Sequence, residues 1–274
     1  MVGAYVMQLG RVGYGEAWDL QRSLAGAVSQ GAIPDTVLFL EHDPVITLGR
    51  TATEGELHLP EGVQVEVVET DRGGKSTYHG PGQLVCYPIL DLHRHGKDVK
   101  EYVRRLEQAI IGALEQIGVE ASTIDGLTGV WVEGPNAAGE NPGPRKIASI
   151  GVHITRWITT HGFAINVDLD PTPFTQWITA CGLEAAAFTT VARELGRPVS
   201  VEELRPLAAA SLAGVFGLEL DDLPAEDGAG QWPQPRHIAI AEKPARGSSA
   251  TASATASAVG SADDAALVDD EVLA

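Results

Sequence analysis

Asp71–Asp91 reads DRGGKSTYHGPGQLVCYPILD, and two kinds of pattern meet in it without a gap. Glycines at this density mark backbone that must take up positive φ or let another group come close. LVCYPIL (84–90) that follows is a continuous apolar run of strand length and reads as a buried strand. A Gly-rich loop emptying into a core strand, with Arg72, Lys75, Tyr78 and His79 as its polar groups, reads as the wall of a small-molecule pocket. An ordinary long hairpin loop would share the composition, because Gly and Pro mark turns as well as sites.

Gly74-Lys75-Ser76 imitates the end of a phosphate-binding loop. That motif needs glycine at position 69, where this chain has Glu69, and it must open a helix whose N-terminus holds the phosphates. TYHGPGQ cannot start a helix, so nucleotide-phosphate binding here is excluded.

Outward from this stretch, three segments carry helix signals. Glu16–Ser29 places Trp18, Leu20, Leu24 and Val28 at helical spacing. Asp98 with Glu101, and Ser200 with Glu203, form capping boxes ahead of apolar-periodic runs that stop at Gly118 and Gly217. Strands are expected at 4–9, 36–41, 64–69, 84–90, 128–132, 147–154 and 159–168, the last two joined as a hairpin across Thr155-Arg156-Trp157. Strands outnumber helices without alternating regularly with them, which points to an α+β fold with a mixed or antiparallel sheet flanked by helices. Residues 133–145 are turn formers throughout and read as a mobile loop. From about residue 224 the chain turns low-complexity and acidic, giving a domain over 1–223 and a disordered tail over 224–274.

The chain has 274 residues, 37 acidic and 19 basic, for a formal charge of −18. Residues 221–274 hold 10 acidic and 3 basic residues, which leaves −11 on residues 1–220. So acidic a body argues against sequence-independent nucleic-acid binding. No signal peptide or membrane-length apolar run is visible, and the two cysteines, Cys86 and Cys181, show no disulfide or metal spacing. The expectation is a cytoplasmic protein with reduced thiols, no membrane association, no metal and no cofactor. His93 and His95 lack a third ligand and read as solvated loop residues. Trp157, Trp177 and Phe174 read as core or rim aromatics.

Cys86 sits mid-strand and reads as a small buried hydrophobe. Cys181 precedes a glycine that leaves room for a substrate beside the sulfur. A free thiol is mostly protonated at neutral pH, so a nucleophilic Cys181 needs a nearby cation or base. Lys146 and His161, flanking the expected hairpin, are the candidates, and spacing alone leaves both open.

Arg72–Leu92 resembles the signature of lipoyl(octanoyl) transferases, the LipB proteins. KIASIGV with THGFAINV (146–167), the CGL at 181–183 and EHDPVITLGR (41–50) agree in order and spacing, so the likeness covers residues 5–217. Three departures stand out: Ala180 where the family usually has proline, Lys75 at a variable position, and a longer 133–145 loop.

The resemblance implies a biotin/lipoate protein ligase-like fold. It also implies transfer of an octanoyl group from octanoyl-acyl carrier protein to a lysine of lipoyl domains, those of 2-oxoacid dehydrogenases and the glycine cleavage H protein. Cys181 would carry the acyl group as a thioester, and Lys146 would lower its pKa and shuttle protons. The pocket would be lined by Arg72, Gly73, Gly74 and Lys75, then Ser76, Thr77, Tyr78 and His79. Ser149, Ile150 and Gly151 with Gly162, Phe163 and Ala164 would complete it, their backbone N–H groups serving as oxyanion donors. His161 stands as an accessory residue. The alternatives are an ATP-dependent lipoate or biotin ligase on the same fold, which would not need Cys181, and a non-catalytic acyl-carrier-binding module.

Overall fold

The computed structural model describes residues 1–140, 143–179 and 187–222. In chain order, β1 (Val2–Val12), α1 (Tyr14–Ser29), β2 (Asp35–His42), β3 (Val45–Leu48), β4 (Glu66–Glu69), β5 (Ser76–His79) and β6 (Gln83–Ile89) come first. They are followed by α2 (Val99–Ile117), β7 (Ser122–Ile124), β8 (Leu127–Val132), β9 (Arg145–Thr155) and β10 (Ile158–Asn166). After those come β11 (Ala187–Phe188), α3 (Val191–Leu195), α4 (Val201–Phe216) and β12 (Leu218–Asp222). Among the described residues a nine-stranded sheet runs β12-β1-β2-β6-β10-β9-β8-β7, with β11 beside β9, and a three-stranded sheet runs β4-β3-β5. β1 is parallel to β2 and β12, while β2, β6, β10, β9 and β8 pair antiparallel, so the large sheet is mixed.

Side chains alternate across a strand, and both faces of this sheet are covered. Val37, Phe39, Leu84 and Cys86 point into one apolar cluster with Leu106 and Ile110 of α2 and Leu204 and Leu212 of α4. Leu38, Leu40, Val85 and Tyr87 point the other way, against Leu20 and Leu24 of α1. A strand buried on both faces has no polar side to show, which is why β6 reads as an unbroken apolar run. Cys86 is fully buried and burial pushes its thiol well up, in keeping with a structural cysteine.

The helix signals act where they stand. Asp98 accepts the Glu101 N–H (2.9 Å), Ser200 accepts the Glu203 N–H (3.2 Å), and Gly118 and Gly217 close α2 and α4 in the left-handed region. The second half of each expected box is spent elsewhere: the Glu101 carboxylate meets Arg104 and Arg105, and that of Glu203 meets Arg197. The β9–β10 hairpin turns on Arg156 and Trp157 alone, at φ 51° and 67°, the two positive values that a two-residue turn of this hand requires.

Three expectations change. Ser76–His79, read as part of a loop, is a strand paired to β3. Arg145, read as loop, opens β9 and is buried against Glu194 (2.7 Å). His95 is not solvated: its side chain is 2% exposed and its Nε2 lies 2.7 Å from the fully buried Asp35 carboxylate, which also accepts from Arg94 and the Asp91 N–H. That cluster ties the turn after β6 to the start of β2. The expected tail lies outside the described residues.

Gly162 sits where β10 crosses β6, and a Cβ there would stand 2.2 Å from the Cys86 carbonyl oxygen and 2.7 Å from Pro88 Cδ. Gly214 lies exposed in α4 with nothing near an added methyl. Gly162→Ala should therefore destabilise by about 1–3 kcal/mol or more, while Gly214→Ala should stabilise by about 0.5–1 kcal/mol. Urea midpoints of the two variants read both effects, and equal shifts of one sign would contradict this packing.

Candidate active site

The Gly-rich segment, β9 and β10 enclose a cavity of about 140 Å³. Arg72, Gly73, Gly74, Lys75, Ser76, Thr77 and His79 line one side. Ser149, Ile150 and Gly151 with Gly162, Phe163 and Ala164 line another, and Lys146 and His161 face the same space. Tyr78 is the exception. Strand alternation in β5 turns it away, into a cluster with Phe174 and Trp177 at 5.8 and 5.9 Å between ring centres. Cys181 and Ala180 lie outside the described residues.

Arg72 is 6% exposed and its donors are spent on protein oxygens. Nη2 gives to the Thr47 carbonyl (2.7 Å), Nε and Nη2 reach Thr47 Oγ1 (3.1 and 2.8 Å), and Nη1 gives to the Gly73 carbonyl (3.0 Å). The next residue, Gly73, donates its N–H to Val152 O of β9 (2.9 Å). Arg72 thus braces the loop between the small and the large sheet. The Ser76 N–H goes to Glu56 (3.0 Å), so the Gly74 and Lys75 amides are the loop donors at the cavity that make no hydrogen bond among the described residues. Phe163 and Ala164 lie in a strand paired on both sides, where amides serve the ladder, so they are poor oxyanion donors.

Lys146 is 4% exposed, and its Nζ lies 5.3 Å from the centre of the Trp131 ring. β9 holds it between β8, where Trp131 is its register partner, and β11, where Phe188 is. Its stem fits because position 129 is glycine: a Cβ there would lie 2.7 Å from Lys146 Cε. Glu107 accepts the Gly129 N–H (3.1 Å); burial raises its carboxyl, and that N–H and the charge of Lys146 offset part of the rise.

At the cavity floor polar rings are joined by hydrogen bonds. His161 Nε2 donates to Asp71 (2.7 Å) and its Nδ1 accepts from the Tyr14 hydroxyl (3.4 Å). His42 donates from Nδ1 to the Val12 carbonyl (2.8 Å) and accepts from the Tyr87 hydroxyl (2.7 Å). His79 donates from Nδ1 to Gln83 Oε1 (2.7 Å). Burial lowers His42 to about 4; burial, aided by His42 and Arg72, lowers His79 to about 3. Burial also lowers His161, against the pull of Asp71. Burial raises Tyr14 to about 12. All three imidazoles are neutral at physiological pH.

The backbone of His161 explains part of its isolation. Pro88 has no N–H to give, so the β6–β10 ladder stops at Cys86–Phe163 and contact resumes where the Thr159 N–H meets the Leu90 carbonyl (3.0 Å). In the gap His161 adopts φ 57°, and its N–H turns to Gln21 of α1 (2.7 Å). Tyr14, Tyr87 and Trp131 were not readable as lining residues. Each occupies an ordinary core position in its own element and reaches the cavity through pairing distant in sequence.

Residues 13–213 match the lipoyl protein ligase A/B catalytic domain. An octanoyltransferase of Geobacter sulfurreducens is 44% identical over 219 residues, 80% of this chain and 86% of its own. One of Mycobacterium tuberculosis is 48% identical over 212 residues, 77% and 86% of the two chains. Among solved structures, a bipartite lipoate protein ligase from Thermoplasma acidophilum superposes with a TM-score of 0.62 at 14% identity, over 83% of this chain and 89% of its own. A lipoate-protein ligase A bound with ATP gives 0.58 at 14%, over 83% and 90%. At that identity the two structures establish the fold, a mixed sheet flanked by helices. By its catalytic-domain match and its extensive identity with these relatives, the chain belongs to the octanoyltransferase family.

Proposed function

We propose that this octanoyltransferase of lipoate biosynthesis takes its acyl group from octanoyl-acyl carrier protein and passes it through a thioester on Cys181. One observation carries the reading. On one side of Cys181 in sequence, Thr179 bonds to Glu56 and lies 3.3 Å from the lining residue Ser76; on the other, Phe188 pairs beside the lining residue Lys146. That the described chain on both sides of Cys181 meets residues of this one cavity supports the reading.

In the first step the Cys181 thiolate attacks the carrier thioester, a new C–S bond forms and the carrier thiolate leaves with a proton from Lys146. In the second, the amine of a lipoyl-domain lysine attacks the Cys181 thioester and the cysteine thiolate departs. Lys146 takes the surplus amine proton. Exchange of one thioester for another is close to isoenergetic, and amide formation runs downhill, so no ATP enters. The Gly74 and Lys75 amides, cavity donors with no hydrogen bond among the described residues, receive the developing oxyanion in this reading. Acceptors are the lipoyl domains of 2-oxoacid dehydrogenases and the glycine cleavage H protein, met in the cytoplasm. No helix among the described residues is long and apolar enough to cross a membrane.

Incubation with octanoyl-acyl carrier protein should add one octanoyl group to the wild-type protein and none to Cys181→Ser, which should also lose turnover. Cys86→Ser should stay active, and Lys146→Ala should slow transfer by roughly 10² to 10⁴-fold. Transfer by Cys181→Ser with free acid and ATP would instead make the protein a ligase.

An acidic carrier needs local cations on a protein of charge −18. Exposed Arg50, whose N–H meets the Arg72 carbonyl (3.0 Å), stands at the edge of the Gly-rich loop, where the carrier must deliver its arm, and is the docking residue we favour. Arg50→Glu should raise the carrier's KM several-fold with kcat little changed; an unaltered KM counts against this surface.

The catalytic domain is assigned to residues 1–223, since the family match ends at 213. Residues 224–274 contain few large apolar groups to offset an ordering cost of about 1–2 kcal/mol per residue. A chain ending at 223 should keep its transfer rate, and loss of transfer in a folded truncation would contradict the assignment.

A further inference from the structure

From the buried contacts of Glu56 we infer that it is a positioning residue for octanoyl transfer, locking the Gly-rich loop to the segment that leads into Cys181. The inference rests on the reading of Cys181 as the acyl carrier.

Glu56 ends a short 3₁₀ turn (Glu54–Glu56), and its carboxylate, 6% exposed, is enclosed by donors. Oε2 accepts the Ser76 N–H (3.0 Å) and the Ser76 hydroxyl (2.7 Å), while Oε1 receives Lys75 Nζ (3.3 Å) and Thr53 Oγ1 (3.4 Å). Burial alone would raise this carboxyl, but the two Ser76 bonds and Lys75 outweigh it and hold it below its usual value.

The backbone of the same residue holds a second segment. Glu56 O accepts the Thr179 N–H (2.8 Å), Leu57 bridges Ile178 in antiparallel fashion, and the His58 N–H meets the Trp177 carbonyl (2.7 Å). The His58 ring and the Thr179 hydroxyl close the set at 2.8 Å. Ser76 Oγ also lies 3.3 Å from the Thr179 carbonyl. Glu56 is thus the residue at which loop 72–76 and segment 177–179 are both fixed, one through its side chain and the other through its main chain.

Cys181 follows Thr179 by two positions in sequence, at most about 7 Å of chain. The residue that fixes Thr179 against Ser76 therefore sets where the chain toward the sulfur begins, and a misplacement on the order of 1 Å at a reacting atom can slow a reaction about 10²-fold. Glu56→Ala leaves the buried Ser76 N–H without its acceptor, the costly way to break a hydrogen bond, and leaves the Ser76 hydroxyl only the longer bond to the Thr179 carbonyl. Glu56→Gln keeps one oxygen for Ser76.

Single-turnover octanoylation from the carrier, followed by intact mass and expressed per active site by burst amplitude, tests this. Thermal unfolding and circular dichroism check the fold. Expected is a 10- to 100-fold slower acylation in Glu56→Ala with the carrier's KM within about twofold, and recovery to within about fivefold in Glu56→Gln. Ser76→Ala should slow acylation in the same sense, and Glu56→Ala with Ser76→Ala should be no slower than Glu56→Ala alone. Wild-type-like rates in folded Glu56→Ala, or losses that add in the double variant, would overturn the inference while leaving Cys181 in place. If Glu56→Ala does not fold, the Ser76→Ala rate decides alone, an unchanged rate overturning it. A wild-type protein that transfers octanoate without acylating Cys181 would overturn both readings.

Discussion

The site depends on one buried guanidinium. Removing a cation from water costs several kcal/mol unless its donors are matched. Arg72 meets that demand with the Thr47 carbonyl and hydroxyl and the Gly73 carbonyl. These bonds reach from the Gly-rich loop to β3, and the Gly73 amide reaches on to β9. Gly49 and Gly151 leave the space: a Cβ at the first would lie 2.6 Å from Arg72 Nη1, and one at the second 3.1 Å from its Cδ. The glycines around the loop are therefore there for the arginine as much as for a substrate.

The same cation shapes the electrostatics of the floor. It stands among the causes that lower both His79 and His161, behind burial in each case. They present neutral rings to the cavity, with His42 packed beside His79, and hydrogen bonds join the three to Tyr14, Gln83 and Tyr87. A neutral, internally bonded floor suits an apolar acyl chain better than charged imidazoles, which would hold water. Lys146 lines the same cavity and packs over Trp131.

Much of this was legible in local sequence, where local chemistry decides. Asp98 and Ser200 cap, Gly118 and Gly217 stop, and the β9–β10 hairpin closes within two residues. β5 is hidden in the sequence because its neighbours Gly73, Gly74, Gly80 and Gly82 read as a loop, although TYH between them is strand-forming. β3 and β11 are short strands stabilised by partners far along the chain. The cavity position of Tyr14 arises from α1 packing on β10, and that of His161 from a proline on the neighbouring strand. Neither cause is visible within a window around the residue itself. The burial of His95 is equally hidden, because its partner, Asp35, lies 60 positions away.

The central claim is that Lys146 tunes the thiol of Cys181, and thiol alkylation tests it without any acyl substrate. Cys86 is fully buried and should stay silent toward iodoacetamide, so the rate reports on Cys181. Measured against pH, alkylation of the wild-type protein should rise at least about one pH unit below that of Lys146→Ala, because a nearby cation stabilises the thiolate. Superimposable profiles would contradict the claim and pass the role of base to His161.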